Sequence, residues 1–263
     1  MGTYLGQNFL IDAKIRNYIA DKILALYHEK GCDTLIEIGP GKGSITKLIQ
    51  SISDHFFVVD MDPTFYDNGQ LVIDNGEFIL SDILELDVET MLKEKNLPKG
   101  QASLSPKKTL VVGNLPYYIT SPILRKFFSA QTFAGGLFMV QDEVGQKIKS
   151  DAKKKSYLRW LLNYSCEVTY LKGVPAKCFK PAPKVKSCLI QLTIKDKQPT
   201  ISFEKVVEFL ELFAPFSRKT LGAIQKMIKK KSEKIFEIPT SLSSKRLEEL
   251  TWSDLTTILS KSS

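Results

Sequence analysis

Short apolar runs recur along this chain with room for a helix between successive runs, and that rhythm constrains the fold more than any other feature. Residues 34–38, 56–59, 77–80, 110–112 and 136–140 each read as a strand. Residues 13–27 place Ile15, Ile19, Ile23, Leu24 and Leu26 along a helical face, and residues 44–52 repeat the spacing through Ile45, Leu48 and Ile49. Strands alternating with helices predict an α/β fold, a parallel sheet with helices on both faces. Such sheets take ligands at the carboxyl ends of their strands. Residues 189–194 alternate apolar and polar and predict a late antiparallel strand. From Phe203 onward the pattern reads as helical throughout, with Val206, Val207, Leu210 and Phe213 on one face. The break at residues 195–200 sets the expected division: a larger domain over residues 1–195 and a small helical domain over residues 196–263.

The strand ends carry the chemistry. Glu37-Ile-Gly-Pro-Gly-Lys-Gly43 lies between the first long strand and the next helix. Gly39 and Gly41 permit a tight turn and close approach of a ligand to the backbone. The spacing is GxGxG, followed by Ser44, so it is neither the dinucleotide fingerprint nor a Walker loop. A cofactor without pyrophosphate fits it better. Asp60 ends the second of these strands, where a carboxylate can accept from both hydroxyls of a ribose. Asp82, in Leu80-Ser-Asp-Ile83, ends the third, where it can accept from an adenine amino group.

Asn114-Leu-Pro-Tyr117 follows the fourth strand directly. An adenine N6 amine is a poor nucleophile because its lone pair is delocalised into the ring. Hydrogen bonds to the Asn114 side-chain oxygen and the Leu115 carbonyl would favour a pyramidal nitrogen and aim its lone pair at an electrophile. Pro116 fixes the turn, and Tyr117 offers a face for base stacking. Positioning against an activated methyl donor supplies most of the rate, so no strong base is needed.

Composition narrows the partners. The 263 residues carry a formal net charge of +8, and cations in excess favour polyanions. Cys32, Cys166, Cys178 and Cys188 form no CxxC pair and read as reduced thiols, so neither disulfides nor a metal is expected. With only His28 and His55, imidazole chemistry is not expected either. No apolar run approaches the roughly 18 residues of a membrane span. A cytoplasmic monomer without membrane contact is the expectation.

These motifs, in this order, resemble the small-subunit ribosomal RNA adenine N6,N6-dimethyltransferases. The resemblance spans nearly the whole chain: Leu5-Gly-Gln-Asn-Phe-Leu-Ile-Asp12, Glu37 to Gly43, Asp60-Met-Asp62, Asp82, Asn114 to Tyr117, Gln141-Asp-Glu-Val144, Phe179-Lys-Pro-Ala-Pro-Lys-Val-Lys-Ser187 and Arg218-Lys-Thr-Leu221. It implies a Rossmann-like S-adenosylmethionine methyltransferase sheet with a small C-terminal helical domain. It also implies a set of cofactor contacts: Asn8, Leu10, Glu37, Gly39, Gly41, Asp60, Asp82, Ile83 and Asn114. Methyl transfer would centre on Asn114, Leu115, Pro116 and Tyr117, with Phe179 facing the target base opposite Tyr117. The implied substrate is two adjacent adenosines in a hairpin loop near the 3′ end of small-subunit (16S) rRNA, within an assembling ribosomal subunit.

The chain departs from the family pattern in places. Asp60 stands where Glu is usual, Ser217-Arg218 where two arginines are usual, Gly222 at a commonly basic position, and Tyr157-Leu158 for Tyr-Gly. RNA docking is expected from Arg218, Lys219, Lys229, Lys230 and Lys231, in a run over residues 218–234 with seven basic residues and one acid. Lys147, Lys149, Lys153, Lys154 and Lys155 form a second candidate patch. The neighbouring readings are a large-subunit rRNA adenine methyltransferase of the antibiotic-resistance type, which usually has Ile at the position of Leu115, and a non-catalytic ribosome assembly factor. A DNA adenine methyltransferase fits less well, because the RNA-family motifs extend outside the active site.

Overall fold

A computed structural model describes residues 8–95, 104–128, 133–151, 156–195, 200–229 and 236–261. Its strands are β1 (Phe9–Leu10), β2 (Thr34–Ile38), β3 (His55–Asp60), β4 (Glu77–Leu80), β5 (Thr109–Asn114), β6 (Gly135–Gln141), β7 (Cys166–Val174), β8 (Phe179–Lys180) and β9 (Ser187–Ile194). The helices up to the last long strand are α1 (Ala13–Glu29), α2 (Thr46–Ile49), α3 (Thr64–Asp67), α4 (Val88–Glu94), α5 (Thr120–Phe128), α6 (Asp142–Ile148) and α7 (Tyr157–Ser165). After it come α8 (Phe203–Phe213), α9 (Leu221–Ile228) and α10 (Trp252–Lys261).

Seven strands form one sheet in the order β4-β3-β2-β5-β6-β9-β7. The first five in that order run parallel, while β9 is antiparallel to β6 and β7 antiparallel to β9. From β2 the chain moves outward through β3 and β4, then returns to the other side of β2 for β5 and β6. The strand order therefore reverses between β2 and β5, and a crevice opens there at the carboxyl ends. The inner parallel strands read as continuous apolar runs because both faces are covered, whereas the edge strand β4 leaves Glu77 and Leu80 exposed. Ile36, Val111 and Phe138 pack into one core cluster. Leu35, Leu110 and Leu137 pack into another with Ile19, Ile23 and Leu26 of α1.

The predicted helix over residues 44–52 contracts to α2, because residues 41–45 form the turn after β2, with Gly43 at φ 71°. Two features carried no reading in the sequence. The edge strand β7 has a bulge between Tyr170 and Lys172, and β1 pairs with β8 through Phe9↔Lys180 and Leu10↔Phe179.

The segment after residue 203 is not helical throughout. Between α9 and α10 the chain runs through short 3-10 turns at Thr240–Leu242 and Leu247–Glu249, with Thr220 bridged to Arg246. Phe236, Leu242, Leu247 and Leu250 bury their side chains from these turns into a third core, with Phe209, Phe213, Ile224 and Ile258. Trp160 and Leu161 of α7 join that core, while Leu162, next in sequence, belongs to the sheet core. Gly222 also finds its reason here. A Cβ at that position would run into the Ser243 hydroxyl and stand 3.2 Å from the Ser243 carbonyl oxygen, so a larger residue is crowded there.

Candidate active site

The ends of β2, β3, β4 and β5 and the N-terminal segment converge on one cleft enclosing roughly 1120 Å³, open solvent at its mouth included. That is room for a nucleoside-sized cofactor together with a base. Asn8, Leu10, Glu37, Gly39, Gly41, Asp60, Asp82, Ile83, Asn114, Leu115, Pro116 and Tyr117 all line it. Phe9, Met61, Ser81 and Tyr118 line it too, and the sequence reading gave none of them a role.

The floor is the turn after β2. Gly39 and Gly41 have φ of 65° and 55°, in the left-handed region, and a Cβ on Gly41 would stand 3.1 Å from the Phe9 ring. Phe9 in turn meets Phe65 edge to face at 5.4 Å, with the Lys42 ammonium 5.1 Å from the Phe9 centroid. Strand β1 is thus held across the glycine turn. On its far side it is held by β8 and by the Ile11 N–H, which donates to the Cys178 carbonyl at 2.8 Å.

Glu37 is the buried acid of this floor. It is 3% exposed, and Oε2 makes no hydrogen bond. Burial pushes its carboxyl up to about 7. The Thr46 hydroxyl facing it, without a full hydrogen bond, draws it partly down, and the charge of Asp60 raises it further. Asp60 is also raised by burial, against hydrogen bonds from backbone N–H groups. Its Oδ1 accepts from the Asp62 N–H at 3.0 Å, a bond that fixes the carboxylate at the end of β3. Asp82 is fixed likewise: its Oδ1 accepts from the Leu84 N–H at 2.9 Å.

Asn114 closes β5 on the same face of the sheet as Glu37. The two strands come close there: a Cβ on Gly113 would be 2.5 Å from the Ile38 carbonyl oxygen. The Asn114 amide donates from Nδ2 to the Asn8 carbonyl at 3.3 Å, which leaves Oδ1 as the acceptor of the amide. The Leu115 N–H donates to the Met139 carbonyl at 3.1 Å, and the Thr120 hydroxyl bonds the Pro116 carbonyl at 3.2 Å, so the turn is tied at both ends. The Tyr117 hydroxyl lies 2.6 Å from the Ser187 hydroxyl. Burial raises the Tyr117 phenol, with Ser187 partly offsetting, so it stays protonated near neutral pH.

Phe179 is not brought to the cleft wall. It is 3% exposed and packs into the core on the α1 side, because strand alternation in β8 turns Lys180 outward and Phe179 in. The exposed aromatic at the mouth is Tyr118 instead. Arg218, Lys219 and Lys229 are exposed and distant in sequence from the cleft, around α9. Lys230 and Lys231 lie outside the described residues, as do Lys153, Lys154, Lys155 and residues 5–7 of the first motif. In the second candidate patch, Lys147 is paired with Glu143 at 2.7 Å and Lys149 with Asp151 at 3.5 Å. Among the described residues no helix is long and apolar enough to cross a membrane.

The donor set suits S-adenosylmethionine. Two carboxylates stand at successive strand ends, a glycine turn offers bare backbone, and Glu37, a buried acid with an unpaired carboxyl oxygen, lines the cleft. The fold has close counterparts. It superposes on a dimethyladenosine transferase from Plasmodium falciparum with a TM-score of 0.69, at 21% identity over 95% of both chains. On the 23S rRNA methyltransferase ErmE the score is 0.61, at 22% identity over 97% of this chain and 100% of that one. Sequence relatives share more. The ribosomal RNA small subunit methyltransferase A of Lachnoclostridium phytofermentans is 33% identical over 226 residues, covering 82% of this chain and 74% of the relative. The one from Hydrogenobaculum sp. is 32% identical over 252 residues, 95% and 88% of the two chains. Residues 2–258 match the model of the ribosomal RNA adenine dimethylase family, and the chain belongs to that family.

Proposed function

We infer that this chain transfers methyl groups from S-adenosylmethionine to N6 of adenosine in ribosomal RNA. Two adjacent adenosines in the 3′-terminal hairpin loop of small-subunit (16S) rRNA, within an assembling subunit, are its target. The observation that carries the reading is the Asn114 amide. Its nitrogen is engaged by the Asn8 carbonyl, so its oxygen is the atom presented at the methyl-accepting end of the cleft.

In this reading Asp60 takes the ribose hydroxyls and Asp82 the adenine of the cofactor. Asn8, Leu10, Glu37, Gly39, Gly41 and Ile83 hold the rest. The bound cofactor supplies a methyl group on a sulfonium, an electrophile that needs no metal. The protein's work is on the acceptor. Asn114 Oδ1 and the Leu115 carbonyl accept the two N6 protons, so the lone pair leaves the ring plane and points at the methyl. Pro116 holds that pair of acceptors in register, and Tyr117, anchored by Ser187, stacks the extruded base. The donor sulfonium is left as a neutral thioether, and the nitrogen, now a secondary amine, loses a proton to water and is neutral again. Residues 1–195 are the methyltransferase domain, and residues 196–263 the docking domain, monomeric in action.

The deciding experiment uses radiolabelled S-adenosylmethionine and small subunits that lack adenine dimethylation. Label is expected on two adjacent adenosines near the 3′ end of the small-subunit rRNA. Label confined to large-subunit rRNA would move the assignment to the antibiotic-resistance type. No label, with intact subunit binding, would leave an assembly factor.

A further inference from the structure

The methyl-accepting side of the cleft has a border that the mechanism above does not use. Residues 180–186, Lys-Pro-Ala-Pro-Lys-Val-Lys, join β8 to β9. At one end, Phe179 and Lys180 pair with Leu10 and Phe9 of β1, both in the cleft wall. At the other end, Ser187 meets the hydroxyl of Tyr117 in the opposite wall, at 2.6 Å. The loop therefore edges the cleft from the N-terminal strand to the Asn114 turn. It is held in place: two prolines restrict its backbone, and the Asp142 N–H donates to the Lys186 carbonyl at 3.0 Å.

What the loop presents is uniform in sign. Lys180, Lys184 and Lys186 are exposed, and Val185 is 44% exposed between the last two. The segment contains no acid. None of the three lysines has an ion-pair partner among the described residues, whereas Lys147 and Lys149 on the neighbouring α6 end are both paired. One residue past Tyr117, Tyr118 is 65% exposed yet still lines the cleft mouth. The cleft is thus polarised, with Asp60 and Asp82 at the β3–β4 end and free cations with an open aromatic face at the β1–β8–β9 end.

We propose that residues 180–186 and Tyr118 form a docking rim for single-stranded RNA, with Lys184 and Lys186 on phosphates flanking the target nucleotide and Tyr118 stacking the neighbouring base. The proposal rests on the reading of this cleft as an RNA adenine methyltransferase site. Alternating cations and an aromatic platform match a nucleic-acid strand, in which phosphates and π-faces alternate. Phosphate contacts set position and register without reading sequence. Lysine suits that task as a point charge that tolerates many phosphate orientations. An acidic protein surface would use the cations but leave the exposed ring without a role.

The test is a fluorescent RNA hairpin with two adjacent loop adenosines, titrated against the whole chain with S-adenosylhomocysteine present, from about 50 to 200 mM salt. Lys184→Gln/Lys186→Gln is expected to weaken binding about 10-fold at the low end. It should also lower the slope of log affinity against log salt by about 1.4, since each single-strand phosphate contributes about 0.7. Tyr118→Ala is expected to lose about 10-fold with the slope unchanged, because stacking releases no counterions. S-adenosylhomocysteine affinity should not move in the lysine variant, which separates a docking defect from misfolding. An unchanged hairpin affinity and slope in the lysine variant overturns the proposal, and so does a wild-type chain that does not bind the hairpin. Loss of small-subunit binding with unchanged hairpin affinity also overturns it, by assigning the rim to a ribosomal protein. A wild type that binds hairpin and subunits but methylates neither refutes the functional reading instead, and the slopes still decide the rim.

Discussion

Asn114 and Glu37 lie on one face of adjacent strands, and their chemistry differs in kind. Asn114 is neutral and its effect is orientation, so Asn114→Ala should leave RNA binding intact and lower the single-turnover rate. A loss of about 100-fold, roughly 2.7 kcal/mol, is expected for one positioned acceptor in a dry site. Near-wild-type single-turnover methylation in that variant would refute the mechanism. Tyr117→Ala should differ by weakening base capture as well as rate. Glu37 acts through charge. Its carboxyl sits at about 7 in the folded chain against an ordinary 4.5. Between those values the folded state holds a proton that the unfolded state has lost, so stability without cofactor falls as pH rises across that window. Above it, the fold carries a desolvated charge. Glu37→Gln should therefore raise the melting temperature of the free protein at pH 8 by a few degrees and do little at pH 5. A cationic cofactor compensates the carboxylate but not the amide, so the same variant should bind S-adenosylmethionine more weakly at pH 8. Parallel melting curves for the two proteins across pH 5 to 8 would show that Glu37 does not titrate there.

At the level of elements, the close approach of β2 and β5 is what brings those two side chains together. Gly113 permits it, since a Cβ there would meet the Ile38 carbonyl oxygen at 2.5 Å, and backbone cannot swing aside as a side chain would. Gly113→Ala should part the strand ends, lower thermal stability and weaken cofactor binding, although Gly113 contributes no side chain. Calorimetry showing wild-type cofactor affinity in that variant would contradict this. Gly113 lies one residue past the strand read from the sequence over residues 110–112, so the apolar run gave no signal of that contact. The inner parallel strands were legible because burial on both faces leaves little polar residue in them. All five residues of β2 are buried. β7 was not, since its exposed Glu167 and Lys172 and its bulge break the run. The two-residue pair of β1 and β8 is too short to show any period. The cleft-lining acids and the Asn114 turn were visible as residues at strand ends, whereas Tyr118 and Phe9 became visible only when the chain was folded around them. Beyond α9, Phe236, Leu242, Leu247 and Leu250 follow one another at intervals of six, five and three residues, which no single helix face holds. Pro239 and the serines around Leu242 are the turn signal in that stretch.

On the scale of the whole molecule, the cleft and the C-terminal segment over residues 196–263 are joined through α7, whose Trp160 and Leu161 enter the third core while Leu162 enters the sheet core. An ion pair between Arg125 of α5 and Glu211 of α8 at 3.7 Å adds to that seam, but both ends are half exposed and it contributes little. The packed helix fixes where the exposed cations of the α9 region point. Arg218, Lys219, Lys226 and Lys229 are exposed there, and none has a carboxylate partner among the described residues. If they dock the ribosomal subunit, they touch RNA remote from the target loop. Charge reversal of Arg218, Lys219 and Lys229 together should then weaken binding to the small subunit and flatten its salt dependence by about 0.9 per phosphate lost from duplex RNA, taking the B-DNA value as a guide. Hairpin binding and cofactor affinity should stay at the wild-type level, because neither involves α9. That is the opposite pattern to the lysine pair at the cleft rim, which should be felt already on the hairpin. A subunit salt slope unchanged by the triple reversal would mean that the α9 face is only solvated surface. It would also place the whole electrostatic attraction for rRNA at the cleft and its border.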